Sequence, residues 1–241
     1  MIGSCTLTRL RHLWRTDRRG LATIEFAICA PVLMMAGGYG IELANYSIVS
    51  LRVSQAALNL ADNGSRVGSM NSLSIVQLRE SDINDVLRAI RLQGDSIGLT
   101  TYGRVTLSSV ENIQQSYDSA PVQRIHWQRC IGLRSGANYD SSYGATQPTD
   151  GTTAASSTAG TTIAAGIGDP GYKVNAPSGS GLIFVEINYD YQPLFGPMFL
   201  GTKRIHNIAS LIVRDRRDFT QLYNPSPAAT RQTCNRYTAD A

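Results

Sequence analysis

The stretch RRGLATIEFAICAPVLMMAGGYGIELANYSIVSL, Arg18 to Leu51, decides how the rest of the chain is read. Between Glu25 and Glu42 lies an uncharged run, Phe26 to Ile41. As a helix that run spans roughly 24 Å, and Leu21 to Leu51 roughly 45 Å, against about 30 Å of hydrocarbon in a bilayer. A single membrane-spanning helix is therefore expected. Helical spacing continues beyond it, with Ile48, Leu51, Leu58 and Ala61 recurring among Arg52, Gln55 and Asn59. The spacing predicts one helix from Leu21 to about Ser65, lipid-embedded in its first half, amphipathic in its second and stopped by Asn63-Gly64.

Charge distribution orients this element. The 241-residue chain carries a formal net charge of +4, which by itself suggests a nucleic-acid partner. Arg9, Arg11, Arg15, Arg18 and Arg19 against Asp17 account for all of it, so the rest of the chain balances near zero and no nucleic-acid partner is expected. Arginines on one flank of the apolar run favour a cytoplasmic N-terminus, with everything beyond about Leu51 exported. A cleaved secretory signal fits less well. The run exceeds a usual signal core, and the best small-residue cleavage match, Ala36 to Gly38, lies inside it.

Cysteine usage agrees with export. Cys5 lies in the leader and Cys29 in the apolar run, leaving Cys130 and Cys234 in the exported part. In an oxidising compartment these two are expected to form a disulfide, closing a loop of about 100 residues worth about 4 to 5 kcal/mol in the chain-entropy model. No CxxC or paired-histidine spacing accompanies them, so no metal site and no cofactor is expected.

The exported part reads as α+β. In SDINDVLRAIRL, Ser81 to Leu92, the residues Ile83, Val86, Leu87 and Ile90 share one helical face, with Asp82 or Ser81 as N-cap and Gly94 as terminator. Strands are expected around Arg104 to Ser108, at Val122 to Cys130, at Ile183 to Tyr191 and from Ile205 to Val213. In the third, Ile183, Val185, Ile187, Tyr189 and Tyr191 alternate with Glu186, Asn188 and Asp190. Between the second and third lies Ser141 to Gly181, rich in Gly, Ser, Thr and Ala, expected as a long mobile surface loop because it has little apolar surface to bury. The expected organisation is a basic leader over 1–20, the long helix over 21–67, a first part of the exported domain over 68–140, the loop over 141–181 and C-terminal strands over 182–236.

Catalytic signatures are scarce. His12 lies in the leader, and His126 and His206 sit on candidate strands outside any HExxH or GxSxG context, so no catalytic residue is assigned. Gly37, Gly38 and Gly40 fall inside the apolar helix, where packing rather than phosphate binding is expected. Ala36, Gly40 and Ala44 form a small-xxx-small stripe suited to helix contact, although small residues are common in membrane helices generally. Pro31 cannot donate to the carbonyl of Ala27, so a kink is expected there. Glu25 is either a functional intramembrane acid or an interfacial one, since Glu25 and Glu42 are about 25 Å apart along a helix.

Taken together, the leader ending in Arg18-Arg19-Gly20, the following LATIEFA with Glu25 fifth after Gly20, and Pro31 six residues on resemble the TadE-like minor pseudopilins of bacterial tight-adherence (Flp) pilus systems. The likeness to type IV prepilins, whose leader is cut after such a glycine by a membrane aspartyl peptidase, is looser. VEINYDYQPLF and the strand ending in Arg214, Arg216 and Arg217 also look like the distal part of such proteins. The resemblance implies cleavage between Gly20 and Leu21, pairing of Glu25 with the N-terminal amine of a neighbouring subunit, and residence in the bacterial inner membrane with a periplasmic domain. Implied partners are other pilin-like subunits, inner-membrane assembly proteins, membrane lipid and, if the leader is processed, a prepilin peptidase. A major Flp pilin is little more than its helix; the large exported part here suits a minor, priming or tip role. The competing expectation is a membrane-anchored exported enzyme or ligand-binding domain, with polar side chains converging on a cleft beside the large loop.

Overall fold

The computed structural model describes residues 21–70 and 72–241. The leader and Gly20 therefore lie outside the described residues. Helix α1 runs from Leu21 to Arg66, unbroken through Pro31. It is followed by the two-residue strands β1 (Ser69–Met70) and β2 (Val76–Gln77), helix α2 (Glu80–Gln93) and the short helix α3 (Leu99–Tyr102). Strands β3 (Gly103–Ile113), β4 (Val122–Ile131), β5 (Thr161–Thr162), β6 (Ser180–Asp190) and β7 (Arg204–Ile212) complete an α+β chain. They form one antiparallel sheet ordered β5-β4-β3-β6-β7.

The chain divides into two compact units, one of residues up to Asn45 with Pro193–Gly201, the other of Tyr46–Gln192 with Thr202–Ala241. In the larger unit the far half of α1 buries Val49, Val53, Ala56, Ala57, Leu60 and Ala61, a stripe at helical spacing. The helix ends two residues beyond Gly64, which is not its stop. A Cβ on Gly64 would stand 3.2 Å from Ile183 Cγ2 and 3.5 Å from Leu107 Cδ1, so this glycine lets helix and sheet approach closely. Nearer the start of this half, Tyr46 meets Tyr191 edge-on at 5.1 Å.

Helix α2 buries Ile83, Val86, Leu87 and Ile90, the expected face. Its N-cap is Arg79 rather than Ser81 or Asp82. Asp82 instead occupies the third helical position and accepts the Arg79 backbone N–H at 3.0 Å, completing the N-terminal turn from inside. Gly94 closes the helix by donating to the Ile90 carbonyl at 2.9 Å.

The sheet is buried on both faces, which explains how β6 is buried from Gly181 to Asp190 despite its polar row. On the face away from α1, Val110, Ile125, Leu182 and Phe184 form a cluster with Ile167 and Ala176, edged by Tyr143, Ile163 and Val174. Five of these residues come from the Gly/Ser/Thr/Ala-rich segment, so it covers part of the core. Hydrogen bonds seat it where apolar area is short. Gln128 donates to the Gly144 carbonyl at 2.9 Å and accepts the Thr146 N–H at 3.0 Å. Gln123 accepts the Ala176 N–H at 2.8 Å, and Glu186 accepts Ser142 Oγ–H at 3.2 Å. At Gly160, with φ of +84°, the segment passes so close to β4 that a Cβ would collide with the Ile125 carbonyl.

Candidate membrane and assembly site

The smaller unit contains the apolar half of α1. Among the described residues it is the one helix long and apolar enough to cross a membrane. Ile24, Phe26, Ile28, Val32, Leu33, Met34 and Met35 all project outward, leaving the apolar side chains open around the helix. Such a surface is stable against lipid and unfavourable against water. Glu25 is exposed near its start, and Leu21 is its first residue. Ala36, Gly40 and Ala44 are also exposed, and a Cβ on Gly40 would meet nothing within 4 Å, so this stripe is open.

The occupied glycine is Gly38. A Cβ there would lie 2.8 Å from Phe199 Cζ, and Tyr39 meets the Phe199 ring edge-on at 6.2 Å. Glu42 completes this contact. Its side chain is fully buried and its carboxylate accepts the backbone N–H groups of Leu194 at 3.3 Å and Phe195 at 3.1 Å. In the sequence Glu42 is only the far boundary of an apolar run. Its partners lie 152 and 153 residues away, and no local spacing signals them.

In the larger unit, several buried polar groups hold the fold together. Cys130 and Cys234 are joined by a disulfide. Beside it, Arg104 is buried and donates to the carbonyls of Gly132, Arg236 and Cys234 at 2.9, 2.8 and 2.6 Å, tying the C-terminal segment to β3. Burial lowers the Arg104 pKa, opposed by the negative charge of Asp140. Arg129 is paired with the buried carboxylate of Glu80 through two donors, and Arg231 Nε stands 3.3 Å from the same carboxylate. Arg217, from the charged segment after β7, donates to the carbonyls of Gly64, Ser65 and Val67 at 3.2, 3.0 and 2.9 Å. A cation on the last carbonyls of a helix is favoured by the helix dipole.

The two histidines of the larger unit are separate. His206 bridges Asn188 Oδ1 at 2.8 Å and Tyr143 Oη at 3.0 Å, helping to fasten the covering segment to the sheet. His126 is buried and pairs through Nδ1 with Glu111 Oε2 at 2.8 Å, while Ser109 Oγ donates to the other carboxylate oxygen at 2.7 Å. Burial acts to lower the His126 pKa, but attraction to Glu111 and the hydrogen bond to it prevail and raise it. Ser109 touches the acid rather than the imidazole, so the three groups lack a nucleophile placed against its base. A cleft of about 260 Å³ beside the covering segment is lined by Thr106, Gln128, Asp140, Thr146, Asn235 and Tyr237 among others. Gln128 and Asp140 are there engaged with Gly144, Thr146 and Tyr237. Among the described residues no group of three metal-ligating side chains comes together.

No family model, curated protein or solved structure matches this chain.

Proposed function

We propose that the protein is a membrane-anchored, pseudopilin-like component of a tight-adherence (Flp) pilus assembly system, acting by helix packing rather than catalysis. The observation that carries this reading is α1 itself. One unbroken helix has an outward-facing apolar half and a second half built into the core of an α+β domain. Exposure of Glu25 and of the Ala36-Gly40-Ala44 stripe supports contact with neighbouring helices, since both are free of intramolecular burial.

In this reading the leader is cytoplasmic, the larger unit is periplasmic or in the pilus, and the partners are pilin-like subunits and inner-membrane assembly proteins. Cleavage by a prepilin peptidase after Gly20 would create an amine at Leu21. Glu25 of a neighbouring subunit would then neutralise it, each charge offsetting the desolvation of the other.

N-terminal sequencing of the protein recovered from cells containing its peptidase tests the cut, with Leu21 as the expected first residue. The Glu25→Gln variant keeps shape and removes charge. Reduced co-assembly with pilin-like subunits at unchanged membrane insertion is expected; unchanged assembly would exclude the pairing.

A further inference from the structure

We propose that Pro193–Gly201, PLFGPMFLG, is a second membrane contact: an apolar hairpin tip that enters the lipid beside the Glu42 end of the helical anchor. The proposal rests on the reading of α1 as a membrane span. No charged residue occurs between Asp190 and Lys203, although this is the connection between two strands, where polar turn residues are usual. The segment packs in one compact unit with the apolar half of α1. Leu194, Phe195 and Met198 are nevertheless 60%, 44% and 75% exposed. Three large apolar side chains on a tip of nine residues would be held against water with no return.

The built parts of this contact suit hydrocarbon. Peptide N–H groups entering lipid need acceptors, and Glu42 accepts those of Leu194 and Phe195. Gly38 leaves room for the Phe199 ring, which also meets Phe195 edge-on at 5.6 Å. Gly38 to Ile41 occupies the last ~6 Å of the uncharged helical run, next to Glu42, the level at which aromatic side chains collect in membranes. Tyr39, Phe195 and Phe199 gather at that level. Lipid is thus continuous from the outward-facing helix to the tip.

The test uses the full chain with Cys5 and Cys29 replaced by serine, reconstituted in phosphatidylcholine/phosphatidylglycerol vesicles. A nitroxide is placed at Met198→Cys, with Met34→Cys on the helix and Tyr172→Cys on the larger unit as references, these last two side chains being 78% and 81% exposed. Collision rates with oxygen and with a water-soluble nickel chelate are compared. The expected result is an oxygen-to-nickel ratio at position 198 near that at 34 and several-fold above that at 172. A ratio at 198 matching 172, with 34 in lipid, overturns the proposal alone. Exclusion of both reagents at 198 overturns it in favour of a protein contact, such as a second copy of the chain. A water-like ratio at 34 removes the membrane reading and the proposal with it. Adding Glu42→Ala should move the label at 198 towards water and leave the label at 34 unchanged; no movement at 198 would deny Glu42 its part in seating the tip.

Discussion

Glu25, Glu42 and His126 show how much a residue's surroundings add to its identity. Both acids border the same apolar run, yet Glu25 is exposed whereas Glu42 is enclosed and bonded to the backbone of a distant segment. His126 reads as an ordinary strand residue until Glu111 is found 2.8 Å from its Nδ1. That pairing has a pH consequence. The folded-state pKa of His126 is raised above the ordinary value, so its stabilisation is fully present below about pH 6.5 and is lost as pH rises through the folded value. Arg124 opposes the shift and Asp150 adds to it, but neither reverses it. Denaturation midpoints measured across pH 6 to 9 should therefore fall with rising pH. In His126→Gln that fall should be shallower, and an identical slope in the variant would show that another group governs it.

Elements were legible where their apolar spacing is regular. The far half of α1 and the inner face of α2 follow from residues three and four apart, and the alternation in β6 separates the residues of its two faces. Element ends were less so. Gly64 reads as a terminator, but its missing Cβ serves contact with Ile183, and the helix is closed instead by Arg217 from beyond β7. Arg217→Met should destabilise the larger unit by about 2 to 4 kcal/mol, because three carbonyls lose a charged donor inside the protein. Urea denaturation of the full chain in detergent measures this. A shift under ~0.5 kcal/mol would mean that water replaces the guanidinium at no cost. The Gly/Ser/Thr/Ala-rich segment is seated by contacts that its composition does not announce. Its low apolar content argues for a surface loop, and Gln123, Gln128 and Glu186 on the sheet supply hydrogen bonds that hold it down.

Across the whole molecule, the Cys130–Cys234 link joins positions 104 residues apart. The Cys130 N–H also donates to the Gln232 carbonyl at 2.7 Å, and Arg104 holds the carbonyls of Cys234 and Arg236. Replacing both cysteines with serine should lower stability by about 2 to 5 kcal/mol, read as a reduced urea midpoint and matched by wild-type protein in reductant. An unchanged midpoint would mean that Arg104 and the backbone bonds alone retain the C-terminal segment. The sequence by itself determined the long helix, its lipid-length apolar half, the α+β class and the strand-forming segments, because each depends on periodicity and charge within a short window. Only the tertiary structure decided that β6 returns beside β3, that the polar segment covers the second face, and that Glu42 and Arg217 serve backbone groups some 150 residues away. Those features depend on which unsatisfied donor or acceptor a distant side chain reaches after the chain has folded, and residue spacing holds no record of that.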